Sequence, residues 1–131
     1  MPITVTIKDE TGTGRVTAAV TVDGIDQRIT LRNLVRTRVR EEVARYNAGA
    51  SSLFTGLVMP EGAEPGPEGF RLAATRRIDW EKQADKAIEA FGRNGFFVLV
   101  GDRQVTDLDE VLELTADTDI RFIRLVPLAG G

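Results

Sequence analysis

Two runs near the start of the chain alternate apolar and polar residues with a period of two, which is typical of strands with one buried face. Ile3, Val5 and Ile7 form the first run, and the second extends from Val16 to Val22. The turn-rich segment Asp9–Gly14 separates the runs, so we expect a β-hairpin. No helix opens after its glycines, which argues against a dinucleotide-binding loop.

An amphipathic helix is expected next, after the second strand ends at Asp23-Gly24. Thr30 is a suitable N-cap, and Asn47 and Gly49 supply a stop. The apolar positions fall on one helical face: Leu31, Leu34, Val35, Val39, Val43 and Tyr46. The opposite side is rich in arginine. We interpret it as a solvated surface and not as a nucleic-acid face, because no aromatic residues are interleaved and the net charge is −3. Its members are Arg32, Arg36, Arg40, Glu41 and Arg45.

The stretch from residue 50 to about 94 reads as an insertion after this helix. Glu61–Gly69 is an acidic loop rich in glycine and proline, and a long loop is usually functional or disordered. Its apolar flanks predict either a short hairpin or helical turns. A second helix is expected after Asp79 as N-cap, ending near Gly92 or Asn94. We expect its large apolar side chains to be buried: Trp80, Ile88 and Phe91.

The last third of the chain predicts two further strands before the final one. Phe96–Val100 turns through Gly101-Asp102 into Arg103–Val105. Residues 108–114 are predicted to form a short helical turn, and 115–119 a polar turn. A final strand is predicted over 119–125, but the sequence does not show which of its faces is buried. Ile120 and Phe122 would point to one face and Ile123 and Leu125 to the other, so either a bulge intervenes or one pair is exposed.

The tail after the final strand is unusual in its chemistry. Pro127 cannot donate to a ladder, so strand pairing should stop there. Gly130 and Gly131 follow Leu128 and Ala129, and glycine lets a terminal carboxylate enter a narrow cleft in any backbone conformation. This tail, 126–131, suits a protein whose own terminal carboxylate is the reacting group.

The composition of the chain excludes several classes of functional site and partner. The chain has 131 residues, which favours a single domain, and it has no cysteine and no histidine. Disulfides, thiol nucleophiles and imidazole or thiolate metal sites are therefore excluded, and we expect no metal and no cofactor. The charge and the lack of a long apolar run predict no nucleic-acid partner and no membrane partner. No leader pattern is visible at the start, so a cytoplasmic location is expected.

The order of these elements resembles the ubiquitin-like β-grasp superfamily. Phe96–Val105 is similar to the strand and turn of bacterial sulfur carriers, Leu114–Ile120 to their polar turn, and Val126–Gly131 to their Pro-containing Gly-Gly tail. The superfamily includes the small subunit of molybdopterin synthase, the thiamine sulfur carrier and prokaryotic ubiquitin-like modifiers. Three features depart from it: the longer stretch 50–94, Thr118 where a glycine is usual, and the lack of arginines before Gly-Gly.

The resemblance implies an α+β fold with a mixed sheet. One helix would cross a face of the sheet, and the inserted helix and loop would lie between that helix and the third strand. The first strand, Ile3–Lys8, would pair in parallel with the last. The whole chain, 1–131, would be one domain with an insertion at about 50–94 and a flexible tail at 126–131.

The same resemblance implies that the protein is a substrate and not an enzyme. An adenylating enzyme of the ubiquitin-activating type would activate the carboxylate of Gly131, with Gly130 keeping the acyl carbon accessible. Partner contacts would be made by the tail and the last strand: Val126, Pro127, Leu128, Ala129, Ile123 and Leu125.

Three functions remain open at this point. A protein modifier of a bacterial type would pass to a conjugating enzyme and target proteins, and the added helix and loop favour it. A sulfur carrier would form a terminal thiocarboxylate for a synthase large subunit in cofactor biosynthesis. A non-covalent β-grasp binding module would use neither reaction.

Overall fold

The predicted hairpin belongs to a mixed five-stranded sheet. The structure, a computed structural model, describes residues 2–49, 52–66, 69–72 and 77–125. Strand β1 spans Ile3–Thr11 and pairs antiparallel with β2, Val16–Ile25. Both strands are longer than the sequence indicates, because Asp9–Thr11 stay in the ladder and Asp23-Gly24 form an irregularity within β2 and not its end.

The remaining strands of this sheet come from the end of the chain. They are β7, Phe96–Val100; β8, Arg103–Val105; and β10, Ile120–Arg124. The sheet order is β2-β1-β10-β7-β8, and β10 is parallel to β1 and antiparallel to β7. The expected parallel pairing of the first and last strands is confirmed. Gly101, at φ 61°, makes the tight turn between β7 and β8.

One face of the sheet carries the core side chains. Val5 and Ile7 of β1 are wholly buried, as are Ile120 and Phe122 of β10. The ring of Phe122 stacks on Phe96 with centroids 5.6 Å apart. In β1 this alternation is the one that the period-two pattern predicts. In β2 the predicted buried face is wrong in part, because Val22 is buried and Val20 half-buried but Val16 and Ala18 are exposed.

A second, two-stranded pairing corrects one prediction. Strand β3, Arg28–Thr30, pairs antiparallel with β9, Val111–Glu113. The short helical turn predicted over 108–114 is therefore wrong in its second half. Leu112 is buried between exposed Val111 and Glu113, which is strand alternation, and the partner strand lies far away in sequence.

Helix α1, Leu31–Ala48, begins where its cap was predicted. The hydroxyl of Thr30 accepts a hydrogen bond from the Asn33 amide at 3.1 Å. The backbone amide of Leu31 donates to the carbonyl of Glu110, and that of Arg32 donates to the carbonyl of Leu108. The N–H groups of the first turn, which lack partners within the helix, are therefore satisfied by other backbone groups as well as by the cap.

The predicted apolar face of α1 is buried, with one addition. Leu31, Leu34, Val35, Val39 and Val43 are almost wholly inaccessible, whereas Tyr46 is half-buried. Arg38 is also wholly buried on this helix, a position that the sequence pattern did not reveal.

The stretch after α1 contains a small antiparallel sheet. Its strands are β4, Leu53–Phe54; β5, Glu64–Gly66; and β6, Gly69–Arg71, in the order β4-β6-β5. The hairpin alternative for this stretch is thus confirmed. Pro67 and Glu68 of the predicted loop lie outside the described residues, so the mobility expected of Glu61–Gly69 stays a prediction.

Helix α2, Trp80–Gly92, is capped as predicted by Asp79, whose carboxylate accepts from the Glu81 amide at 3.0 Å. Asn94 has a φ of 60° and donates its amide to the Phe91 carbonyl, which ends the helix. The expected burial of Trp80, Ile88 and Phe91 is wrong in degree, because all three are half-buried. The buried positions of α2 are Gln83, Ala84 and Ala87.

The fold of the described residues is α+β, with a mixed sheet and two helices. The chain divides into two compact units. Unit 1 contains Met1–Leu34 and Phe91–Gly131, and unit 2 contains Val35–Ala90. Unit 1 carries the five-stranded sheet and the β3–β9 pair; unit 2 carries the small sheet and most of both helices. A single domain over 1–131 stays a prediction.

Candidate functional site

The end of β10 is the point from which the predicted reactive tail departs. The amide of Leu125 donates to the Gly95 carbonyl at 3.3 Å, one residue beyond the last residue of the strand. The tail itself lies outside the described residues: Val126, Pro127, Leu128, Ala129, Gly130 and Gly131. Of the predicted site residues, the structure therefore places Ile123 and Leu125.

The structure decides which parity of β10 faces outward. Ile120 and Phe122 are wholly buried, whereas Ile123 is half-buried and Leu125 is 43% exposed. Alternation along the strand places Ile123 and Leu125 on the face opposite the core. The pair that was predicted to contact partners is thus the outward pair.

Two side chains of β7 extend this outward apolar surface. Phe97 lies directly opposite Ile123 in the antiparallel ladder, and Leu99 lies opposite Arg121. Both are half-buried. We refer to Phe97, Leu99, Ile123 and Leu125 as the outer patch. These four side chains place apolar groups side by side on the outward face of two neighbouring strands, and Leu125 is the most exposed of them.

Charged side chains border the outer patch. Arg121 forms ion pairs with Asp119 at 3.3 Å and with Glu10 at 3.8 Å. Glu10 is buried, and it lies opposite Ile123 in the parallel ladder. On the other face of β10, Arg124 approaches the buried carboxylate of Asp9 at 3.8 Å. The end of β10 is thus fixed by ion pairs on both faces.

A further ion pair involves β8, the strand at the edge of the sheet beyond β7. Both terminal nitrogens of the Arg103 guanidinium, in β8, donate hydrogen bonds to the carboxylate of Glu110, one to each oxygen. This hydrogen bonding lowers the pKa of Glu110 and raises the pKa of Arg103, and the attraction between the charges acts in the same direction.

Within the described ranges, no three of the His, Cys, Asp and Glu side chains are grouped so that they could hold a metal ion. No helix in the described part of the chain is long and apolar enough to cross a membrane. What the arrangement offers chemically is a docking surface of apolar groups with a charged border.

The contribution of β7 was missed at the sequence level, although its signal is present. Phe96–Val100 is apolar at every position and does not alternate. A strand whose one face lies on the core must then expose apolar side chains on the other. Phe97 and Leu99 could have been assigned to the outer patch from that run.

Comparisons of the chain with protein-family models, with curated proteins and with solved structures found no match. The resemblance to the ubiquitin-like superfamily therefore rests on the sequence motifs.

Proposed function

We propose that the chain is a ubiquitin-like protein modifier whose C-terminal Gly131 is adenylated by an activating enzyme and then transferred to a target. In this proposal the five-stranded sheet and α1 form a β-grasp, with α1 crossing the sheet. The observation that carries the proposal is the position of β10 in the centre of the sheet, parallel to β1. The tail motif therefore follows directly on a strand that is held on both edges.

The outer patch supports the proposal as the docking surface for the activating enzyme. Ile123 and Leu125 lie on the same strand that leads into the tail. A partner that covers them is brought close to residue 126, since the two segments are continuous. Phe97 and Leu99 enlarge the apolar surface that such a partner would bury.

The chemistry of the proposal requires only the terminal carboxylate of this chain. A carboxylate oxygen of Gly131 attacks the α-phosphate of ATP, and pyrophosphate leaves. A thiolate of the enzyme then attacks the acyl-adenylate and displaces AMP, which gives a thioester. A lysine amine of the target finally attacks this thioester and displaces the thiol, which forms the isopeptide bond. Two terminal glycines leave the acyl carbon uncrowded.

The direct test is ATP–pyrophosphate exchange with the cognate adenylating enzyme. We expect the intact chain to support exchange, and both a chain lacking Gly130 and Gly131 and a chain with one residue added after Gly131 to support none. Removal of the two glycines should change the free energy of unfolding by less than about 0.5 kcal/mol, because they touch no core residue in this proposal. Equal exchange with all three chains would overturn the proposal.

Two other functions have support of their own. The tail resembles that of sulfur carriers, which would end in a thiocarboxylate, and the outer patch would also serve a non-covalent binding module. The mass of the intact protein, isolated from its own host, distinguishes them. A thiocarboxylate is heavier by the difference between sulfur and oxygen, a modifier gives conjugates of low electrophoretic mobility, and a binding module gives neither.

A further inference from the structure

Trp80 has a distinctive environment within unit 2. The guanidinium carbons of Arg36 and Arg40 lie 5.3 Å and 5.6 Å from the centroid of its ring. Both distances are within the range of cation–π attraction. The two arginines are four residues apart on α1, so they project from the same side of the helix. The half-buried indole of Trp80 is thus held against a positively charged strip of α1.

An open cavity of about 440 Å³ lies beside this indole. Its lining residues all belong to unit 2: Arg40, Val43, Ala44, Asn47, Ala48, Arg77 and Trp80. A volume of this size is within the range of pockets that hold small molecules, roughly 300–1,000 Å³. Small aliphatic side chains of α1 form one wall, and the indole and two guanidinium groups form the others.

The charges around the cavity favour an anion. Within the described residues, Arg40 and Arg77 have no carboxylate partner, whereas Arg36 pairs with Asp85 at 3.5 Å and Arg45 pairs with Glu41 at 3.2 Å. None of the described residues that line this cavity is acidic. Two guanidinium groups without internal partners are suited to hold a phosphate or a carboxylate by paired hydrogen bonds.

The remaining polar group of the cavity is already occupied. The side chain of Asn47 accepts from the Ile78 amide at 2.9 Å and donates to the Ile78 carbonyl at 3.0 Å. Most of the polar atoms that remain on the described lining side chains are N–H donors of the guanidinium groups and of the Trp80 indole, so the lining favours a ligand group that accepts hydrogen bonds. A ligand must supply negative charge at one end and a flat or apolar body at the other.

A neighbouring cavity does not fit the same ligand. It measures about 170 Å³ and shares Arg77, but Glu61 and Asp79 line it together with Lys82 and Lys86. The two carboxylates offset the charge of the lysines, and the volume is smaller than that of typical ligand pockets. The larger cavity is therefore the one that selects an anion.

We propose that the cavity between Arg40, Arg77 and Trp80 binds a small molecule that joins a flat aromatic or heteroaromatic body to a phosphate or carboxylate. The guanidinium groups of Arg40 and Arg77 hold the anionic group, and the body lies against the indole and the alanines of α1. This site goes beyond the proposed modifier function and does not depend on the tail.

The experiment uses the fluorescence of Trp80, which is the single tryptophan of the chain. The full-length protein is titrated with phenyl phosphate and with AMP, and in separate titrations with inorganic phosphate and with adenosine. We expect saturable changes in emission with phenyl phosphate or AMP. Phosphate and adenosine should each bind at least about tenfold more weakly, because each lacks one half of the interaction.

Variants of the arginines decide whether the site is the one proposed. Arg40→Ala and Arg77→Ala should each weaken binding by about tenfold or more, the effect expected for a lost hydrogen bond to a charged group. Arg45→Ala, on the same helix and outside the cavity lining, is the matched control and should bind like the unaltered chain. Isothermal titration calorimetry repeats each measurement, because Arg40→Ala also changes the environment of the fluorophore.

The proposal is overturned by an absence of saturable binding with all four probes. It is also overturned if Arg45→Ala weakens binding as much as Arg40→Ala does, since attraction would then come from general charge. Equal affinity for phosphate and phenyl phosphate would remove the role of Trp80. Thermal midpoints of the variants are expected to match, because the three arginines are exposed.

Discussion

Arg38 is the bulkiest of the wholly buried side chains, and its charge is balanced within one turn of its own helix. Its Nε donates to Oε1 of Glu42 at 2.5 Å, and Oε2 of Glu42 accepts from the Leu57 amide at 2.9 Å. Gly56 lies against this carboxylate, and a Cβ there would collide with Glu42 and with the ring of Phe54. The buried carboxylate therefore joins α1 to the backbone that follows β4.

This arrangement predicts a large effect of a small substitution. Glu42→Gln keeps the shape of the side chain but removes the carboxylate charge that the Nε of Arg38 contacts in the interior. We expect the free energy of unfolding to fall by about 3–5 kcal/mol, measured by urea denaturation. Glu41→Gln is the matched control: Glu41 pairs with Arg45 at the helix surface, and its loss should cost about 0.5 kcal/mol or less. Equal effects of the two substitutions would contradict this role of Glu42.

A pH dependence is expected from the pair of Arg103 and Glu110. The pKa of Glu110 is lower in the folded protein, so its contribution to stability is complete above the unfolded-state pKa and is lost as the pH falls through the folded-state pKa. The contribution should be small, because the pair is exposed to solvent. Glu110→Gln should remove this acid-dependent part from the curve of stability against pH. A curve unchanged in slope below the ordinary glutamate pKa would refute the assignment.

The burial of Arg38 illustrates why single residues resist prediction from sequence. An arginine and a glutamate four positions apart are the common signature of an exposed helix pair, and Glu41 with Arg45 forms such a pair on the same helix, with the glutamate first. The pair of Arg38 and Glu42 has the same spacing in the reverse order, and it is buried because the rest of the fold covers it. The sequence pattern could therefore predict the apolar face of α1 but not the buried ion pair within it.

At the scale of elements, predictions based on local chemistry agree with the structure. The caps at Thr30 and Asp79 act within three residues of their own positions, and both are found where they were expected. Strand β9 was mistaken for a helical turn, because its assignment depends on pairing with β3, more than eighty residues earlier. Short apolar runs are ambiguous without knowledge of such distant partners.

The outer patch gives a prediction at this scale. Ile123→Arg replaces an outward side chain of β10, so we expect weaker binding to the activating enzyme of the proposed function, with little change in the thermal midpoint. Phe122→Arg, one position away on the buried face, should instead prevent folding, because it places an unpaired charge in the core. Pull-down with the enzyme and thermal denaturation separate the two outcomes. Loss of folding in Ile123→Arg would show that this residue is core.

At the scale of the whole molecule, the sheet order could be anticipated only in part. The parallel pairing of β1 and β10 follows from the resemblance and is confirmed, whereas the small sheet of unit 2 required the structure. For the candidate site, the sequence left two pairs of β10 side chains as the outward pair. The structure shows that Ile120 and Phe122 are buried, so Ile123 and Leu125 form the outward pair.

Truncation tests the dependence of unit 1 on its last strand. A chain ending at Asp119 lacks β10, so β1 and β7 both lose a neighbour and the five-stranded sheet loses its centre. We expect no cooperative thermal transition for the residues of that sheet, as followed by amide signals in NMR. The matched control ends at Leu125 and retains all five strands of this sheet, so its amide signals from the sheet should be those of the intact chain. Native-like signals from both chains would show that the sheet forms without β10.

The central place of β10 also has a consequence for biosynthesis. A ribosome makes β1 and β2 first, at roughly 5–20 residues per second, and those strands can form their hairpin early. The middle strand of the sheet is made after its other four strands, so the edge of β1 that β10 will occupy stays unpaired until then. An unpaired apolar strand edge is prone to pair with other chains. Nascent chains stalled before residue 120 are therefore the species of this protein that we expect chaperones to bind most strongly.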